Sequence, residues 1–275
     1  MKKRGLAVLI ALLLLVLWIL LEQKWIQITP YTVRNADLPE AFSGLRVTEL
    51  ADLHGVTFGE NQEKLLEKVR ETEPDLITID GDLFDVRTDV TELDVLLTGL
   101  CEIAPTYYVT GNHEWTTENL YETLDHFREL GVTVLDNTYA VLGSTGQNIV
   151  VAGVHDPNGP YDMKTPEELV AEIRAELGED VYILMLAHRN GQLAMWSELG
   201  VQTVLVGHGH GGMIRLPFAG GLLDVEHNLF PTYDAGVFQE GETSMVVSRG
   251  LGNSIWIPRI FNRPELPVIT LERGE

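Results

Sequence analysis

Leu45-Arg46-Val47-Thr48-Glu49-Leu50-Ala51-Asp52-Leu53-His54 and Asp75-Leu76-Ile77-Thr78-Ile79-Asp80-Gly81-Asp82 are two versions of one device. In each, a short β-branched and apolar run ends on carboxylate or imidazole side chains. Between them Leu65, Leu66 and Val69 recur at helical spacing. Alternating strands and helices predict an α/β body with the carboxyl ends of its strands along one edge. Open sheets of this kind bind ligands in the crevice beyond those ends.

The pattern runs on through the chain. After a helical stretch from Leu93 to Cys101, Thr106-Tyr107-Tyr108-Val109-Thr110 reads as a strand ending at Gly111-Asn112-His113. Thr117 to Leu130 reads as a helix with Leu120, Leu124 and Phe127 on one side. Val132 to Leu135, Ala140 to Leu142 and Asn148 to Val154 read as strands joined by turns. Thr165-Pro166-Glu167-Glu168 opens a helix with a capping residue, a first-turn proline and acidic groups at the positive end. Tyr182 to Leu186 then leads to His188, and Thr203 to Val206 leads to Gly207-His208-Gly209-His210.

Singly, these polar residues are ordinary. Asp82 and Asp85 suit a turn that bonds its own backbone, and His208-Gly209-His210-Gly211-Gly212 suits a flexible loop. Jointly, successive strand ends carry oxygen and imidazole groups that the fold can bring to one place. A hydrolase using two metals about 3.5–4 Å apart needs a ligand that binds both, and a carboxylate does so readily. Asp82 is the candidate. Carboxylates and neutral imidazoles suit Mn, Fe or Zn. The Asn112 amide completes a shell without adding charge, and the glycines around His208 and His210 are expected to bend the backbone so that both rings face inwards.

Asp52-x-His54, Gly81-Asp82-x-x-Asp85, Gly111-Asn112-His113-Glu114, His188 and Gly207-His208-x-His210 together resemble the calcineurin-like metallophosphoesterase family across residues 45–212. Tyr233-Asp234-Ala235-Gly236, Ser248-Arg249-Gly250-Leu251-Gly252 and Arg259-Ile260-Phe261-Asn262-Arg263-Pro264-Glu265 resemble a bacterial subgroup with an N-terminal membrane segment. The resemblance implies a four-layer α/β/β/α sandwich. It implies a first metal on Asp52, His54, Asp82 and His210, and a second on Asp82, Asn112, His188 and His208. His113 is then no ligand but faces the substrate, with Asp85 orienting its ring. Arg189 is the candidate phosphate contact. The sequence departs from the family pattern at Asn190, where proline is expected, at Gly209, where a larger residue is usual, and at Met213, where glutamine is common. None of these removes a ligand. Val86-Arg87-Thr88 after Asp85 lacks the Asp-Arg-Gly form of protein Ser/Thr phosphatases, which argues against a phosphoprotein substrate.

Lys2, Lys3 and Arg4 precede an uninterrupted apolar run from Gly5 to Leu21, at the short end of what spans a bilayer. Trp18 and Trp25 sit where aromatic rings favour the membrane interface. Glu22-Gln23-Lys24-Trp25 follows instead of a small-x-small cleavage site, so an uncleaved anchor over residues 1–25 is expected, with a catalytic domain over 26–275. A cleaved signal with a secreted body is the alternative. The basic start holds the N-terminus in the cytoplasm and places the body outside a single-pass protein.

The net charge of -22 argues against a nucleic-acid partner, and nothing implies a protein partner. An acidic surface is compatible with an anionic substrate where bound cations dominate the local field. Cys101 is the only cysteine, so no intrachain disulfide forms, and its apolar neighbours predict a buried small side chain. Asp80 reads as a strand-end residue and His126 as part of a solvated helix face, whereas His155 and His227 are loop residues able to flank the cleft.

The expected reaction is attack of a hydroxide bridging two metals on phosphorus, in a phosphodiesterase or pyrophosphatase. Small-molecule, lipid-linked and cell-envelope phosphoesters are the expected substrates. Two rivals keep the same scaffold: a metal hydrolase of a non-phosphate bond, and a membrane-tethered binding protein.

Overall fold

The computed structural model of the chain describes residues 2–254 and 257–274, the side chains of Lys2 and Lys3 excepted. Strands β1 (Gln27–Asn35), β2 (Arg46–Leu50), β3 (Leu76–Asp80), β4 (Thr106–Val109) and β5 (Thr133–Val134) belong to a first sheet. The second holds β6 (Thr138–Ser144), β7 (Gln147–Gly153), β8 (Tyr182–Leu186) and β9 (Thr203–Val206). A small hairpin, β10 (Arg215–Leu216) with β11 (Gly220–Gly221), follows. The chain then adds β12 (Gly236–Glu240) and β13 (Thr243–Val247) to the second sheet, and returns to the first with β14 (Glu265–Arg273). The orders are β1-β14-β2-β3-β4-β5 and β12-β13-β9-β8-β7-β6.

Side-chain parity along the strands makes the layers. Val47, Leu76, Tyr107 and Val109 of the first sheet meet Ile149, Val151, Leu184 and Leu205 of the second in one buried cluster. Their neighbours Leu50, Ile77, Ile79 and Tyr108 point the opposite way, as alternate residues of a strand must. They pack on α2 (Glu63–Glu71), α3 (Asp94–Ile103) and α4 (Leu120–Glu129), after the N-terminal helix α1 (Lys2–Glu22). On the far face Val150, Ile183, Met185 and Val204 pack on α5 (Pro166–Leu177) and α6 (Leu193–Glu198). The order is helix, sheet, sheet, helix: the expected four-layer α/β/β/α sandwich.

β2, β3, β4 and β5 run parallel, as do β7, β8, β9 and β13, so the carboxyl ends of both sheets open onto one edge. Backbone bonds lock the loops beyond that edge together: Asp52 N–H to Gly81 O at 3.1 Å, His54 N–H to Asp82 O at 2.9 Å, and Gly252 N–H to Asp52 O at 2.7 Å.

Some local readings change. β1 occupies what reads as a connecting stretch, paired in parallel with β14 over its whole length. Helix α4 starts at Leu120 because Glu114–Thr116 forms a separate 3-10 turn and Asn119 takes a positive φ of 59° at the cap. Cys101 is half-buried against the helix-side cluster. α5 begins with the full capping box between Thr165 and Glu168.

Residues Arg4–Glu22 form a helix long and apolar enough to cross a membrane, almost wholly exposed. Its exit is docked on the body: Glu22 Oε2 accepts from Phe261 N–H at 3.0 Å, and the Arg263 guanidinium covers the Trp25 ring at 4.1 Å.

Candidate metal centre

Beyond the shared sheet edge, Asp52, His54 and His210 bring donor atoms within 4.8 Å of one another, and Asp82, His188 and His208 form a second such group. The first contains His54 Nε2 and His210 Nε2, 3.2 Å apart, with their rings stacked. The second contains His188 Nε2, 3.2 Å from both His208 Nδ1 and Asn112 Oδ1. Asp82 Oδ2 lies between the groups, 3.7 Å from His54 Nε2 and 3.3 Å from His188 Nε2. Asp52 Oδ1 is 3.8 Å from His210 Nε2. Every ligand predicted from the sequence is therefore at this edge.

The donor set fits two divalent cations. Ligand atoms around a cation at roughly 2.0–2.2 Å stand about 3.0–3.4 Å apart at the edges of its coordination polyhedron. The short imidazole and amide separations here have that size. Burial drives the pKa of His54 and of His208 down to about 3, and that of His210 well below its ordinary value, so these rings are neutral and offer lone pairs. Burial also opposes charge on His188, but Asp82 overrides it and raises that pKa to about 10. Burial raises Asp52 to about 7, whereas the His188 and His54 rings hold Asp82 far below the carboxylate range against its burial. Mixed nitrogen and oxygen ligation of this kind suits borderline first-row ions.

The backbone at the candidate ligands is unusual. Asp52, His54, Asp82, His208 and His210 all have φ between 49° and 66°, a left-handed conformation that side chains with a Cβ disfavour. The expectation that the glycines around the two histidines bend the backbone holds in part: Gly211 and Gly212 have φ of 64° and 71°, but Gly209 has φ -76° and His208 and His210 turn as well. Gly209 matters for space, since a Cβ would stand 2.5 Å from Asn190 Nδ2. Strained residues at an edge with no regular secondary structure persist where the surroundings over-determine them, and they cluster at functional sites.

A family model described as calcineurin-like phosphoesterase matches residues 45–212, which carry every one of these candidate ligands. The chain belongs to that family. A Bacillus subtilis metallophosphoesterase, YkuE, is 26% identical over 92% of this chain and 87% of its own. The Escherichia coli phosphodiesterase YaeI is 30% identical over 73% of this chain and 72% of its own. A Bos taurus transmembrane protein with a metallophosphoesterase domain is 29% identical over 98% of this chain, which spans 62% of that relative. Haemophilus influenzae NAD nucleotidase shares the fold alone, at TM-score 0.52 and 14% identity over 75% of this chain and 45% of its own. As a family member the chain is a metallophosphoesterase, a hydrolase of phosphoric ester bonds.

Around the candidate ligands, the sequence places Glu114 and Arg259 in its motifs without marking them as the residues that hold the loops. Glu114 is fully buried, and its Oε1 accepts from Leu83 N–H at 2.7 Å and Phe84 N–H at 3.3 Å. Its Oε2 accepts from Asp82 N–H at 3.0 Å and Gly111 N–H at 2.8 Å. One carboxylate thus ties the loop of Asp82 to the loop of Asn112. Arg259, also buried, donates to Gly252 O, Arg249 O and His210 O. The only sequence signals were a position in the cleft motif for Glu114 and in the C-terminal motif for Arg259.

The other candidates sit as follows. His113 donates its N–H to Asp82 Oδ1 at 2.8 Å, keeps its ring partly exposed, and points Nε2 towards Asp82 Oδ2 at 4.0 Å. Asp85 groups with His54 and His113 within 4.8 Å, while Arg87 occupies its carboxylate through Nε and Nη2. Arg189 is gripped by Asp156 at 2.6 and 3.2 Å and extends Nη1 to 3.0 Å from His208 Nε2. His155 is buried beside Thr110 and Asp136, and His126 pairs with Asp94. Asp80 is fully buried, and its backbone carbonyl lies 2.9 Å from His188 Nδ1.

Proposed function

We propose that the chain is a membrane-anchored phosphodiesterase or pyrophosphatase, with residues 1–25 as anchor and 26–275 as catalytic unit. Asp52, His54, Asp82 and His210 hold one cation, and Asp82, Asn112, His188 and His208 hold the other. The observation that carries the reading is the pair of ligand groups flanking Asp82 Oδ2. Two bound cations supply Lewis acidity and make a water nucleophilic near neutral pH.

The chain's own groups do the rest. Ligand sets with only two carboxylates between them, Asp52 and the shared Asp82, would leave the cations electrophilic towards a phosphoryl group. The inward Nε2 of His113 is placed to hold a proton for the departing oxygen, a task that needs its ring near the cleft mouth. Asp85, grouped with that ring, is the residue that orients it. Arg189, held in a fixed direction by Asp156, supplies positive charge beside the His208 lobe for a non-bridging oxygen.

The docked exit of α1 supports a substrate at the membrane surface, such as a lipid-linked phosphodiester. The exposed rings of Trp25 and Phe261 lie at the same junction, as membrane-interface residues do. Lys2, Lys3 and Arg4 before the apolar run favour an N-terminus in the cytoplasm and an extracytoplasmic body. The name of the Escherichia coli relative favours a diester over a monoester.

The test is turnover of bis-aryl and mono-aryl phosphate esters by the full chain in detergent, stripped of metal and reloaded with Mn or Zn. Metal-dependent cleavage favouring the diester, lost in Asn112→Ala, is expected. A folded, loaded sample that cleaves neither ester would sink the reading.

A further inference from the structure

The segment that leaves the membrane helix reaches the metal centre through one intermediary. Gln23, the first residue after α1, clamps the backbone of Arg259 from both sides: Nε2 donates to Arg259 O at 2.7 Å, and Oε1 accepts from Arg259 N–H at 3.0 Å. The side chain of the same residue turns inwards. Its Nε and Nη2 donate to Gly252 O at 2.9 and 2.6 Å, and Nη1 donates to Arg249 O at 2.7 Å. Nη1 also reaches His210 O at 3.5 Å, and Nη2 stands 3.3 Å from His210 Nδ1. Asn262, three residues on, donates to His210 O and Met213 O at 2.7 and 3.1 Å. The strand-like bridge between Ile214 and Ile260 closes the same contact from the loop side.

Arg259 is 1% exposed, and every carbonyl it bonds belongs to a loop that touches the centre. Gly252 N–H bonds Asp52 O, and Gly250 approaches the Asp52 side chain so closely that a Cβ would stand 2.7 Å from it. His210 itself holds a left-handed backbone, which needs support from outside the residue. A guanidinium that satisfies several orphan carbonyls at once is such a support.

We propose that Gln23 and Arg259 are positioning residues that make the exit of the membrane helix part of the scaffold of the metal centre. Gln23 fixes the Arg259 backbone, and Arg259 fixes the loop that presents His210. The inference rests on the assignment of His210 as a ligand, but its first readout does not. The anchor then does more than retain the body at a surface: its attachment sets the geometry of one lobe of the site.

The experiment compares amide hydrogen exchange of the metal-free full chain in detergent with that of Gln23→Ala. Faster exchange is expected over residues 207–214 as well as at the clamp, residues 21–25 and 257–261. In chelator competition, metal affinity of one of the two sites should weaken about tenfold, the low end for loss of an outer support to a ligand. Arg263→Ala is the comparison, because it frees Trp25 O and Ile26 O from the body without touching Arg259. It should quicken exchange at the exit alone. If Gln23→Ala fails to fold, Gln23→Glu keeps the acceptor for Arg259 N–H and removes the donor. Its exchange over 207–214 should rise by a smaller factor. Unchanged exchange over 207–214 in the folded variant, whether or not the clamp opens, overturns the proposal. Failure of metal binding in both parent and variant would instead strike the ligand assignment.

Discussion

Replacing Glu114 by glutamine tests whether one buried carboxylate holds the two ligand loops together. The change keeps shape and volume, so cavity and overpacking terms are small. It does not keep the hydrogen bonding. Each carboxylate oxygen serves two backbone donors: Leu83 and Phe84 on Oε1, Asp82 and Gly111 on Oε2. A glutamine offers one oxygen, so its NH2 must face the other two N–H groups. Leaving a buried donor unsatisfied costs about 1–3 kcal/mol, which gives about 2–6 kcal/mol for the pair. Burial and the Asp82 carboxylate push Glu114 up to about 8 against its four amide donors, so above that pH removing a buried charge offsets part of that cost, and a net loss of about 3 kcal/mol is expected. At about 2–4 °C per kcal/mol for a domain of this size, Tm should fall by about 6–12 °C. Because Asp82 and Asn112 ride on the two loops, metal affinity should also fall about 10–100-fold. The assay is thermal unfolding in detergent under matched metal-free conditions, then metal titration of the folded variant. A Tm within experimental scatter of the parent, with unchanged metal affinity, would falsify the reasoning.

Three other outcomes follow from the same geometry. His54→Ala removes a donor from the Asp52–His210 lobe and none from the Asp82–His188–His208 lobe, so metal analysis should show occupancy falling from two ions towards one; two tightly held ions would contradict the division into lobes. Arg189→Ala should raise KM about tenfold with a smaller change in kcat if the guanidinium binds ground-state phosphate, and an unchanged KM removes it from that role. Glu265 gives the pH dependence: burial opposes its charge, but Arg249 and Thr29 hold the carboxyl below its ordinary 4.5. Its folded pKa is depressed, so the stability it contributes is present above about 4.5 and lost as pH falls through the folded value. Glu265→Gln should therefore flatten the acid limb of stability against pH below that point, and an acid limb as steep as the parent's would refute the assignment.

What the sequence reveals and what it hides divide along one line. A strand end is legible because parity and β-branching are local, so Asp52, Asp82, Asn112, His188 and His208 could be placed beyond strands one at a time. The layers were legible for the same reason: Val47 and Leu50, or Leu184 and Ile183, differ in face by position alone. β14 was not. It carries Pro267 in a strand that lies between β1 and β2, where proline normally argues against a strand. Pairing with β2 begins only at Val268, which lets the proline sit beyond that ladder. The turn at His208-Gly209-His210 misled for a related reason. Local rules assign positive φ to glycine, and Gly211 and Gly212 bear it, but so do His208 and His210, while Gly209 at φ -76° leaves room for the close approach of Asn190. Glu114 and Arg259 lie furthest from local reading. Their partners are backbone amides and carbonyls of distant loops, which any side chain can flank, so sequence carries no record of the pairing. A ligand announces itself through its own chemistry. The residue that makes the ligand's backbone tolerable does not, and here those residues come from the cleft turn and from the C-terminal stretch clamped by Gln23 at the exit of α1.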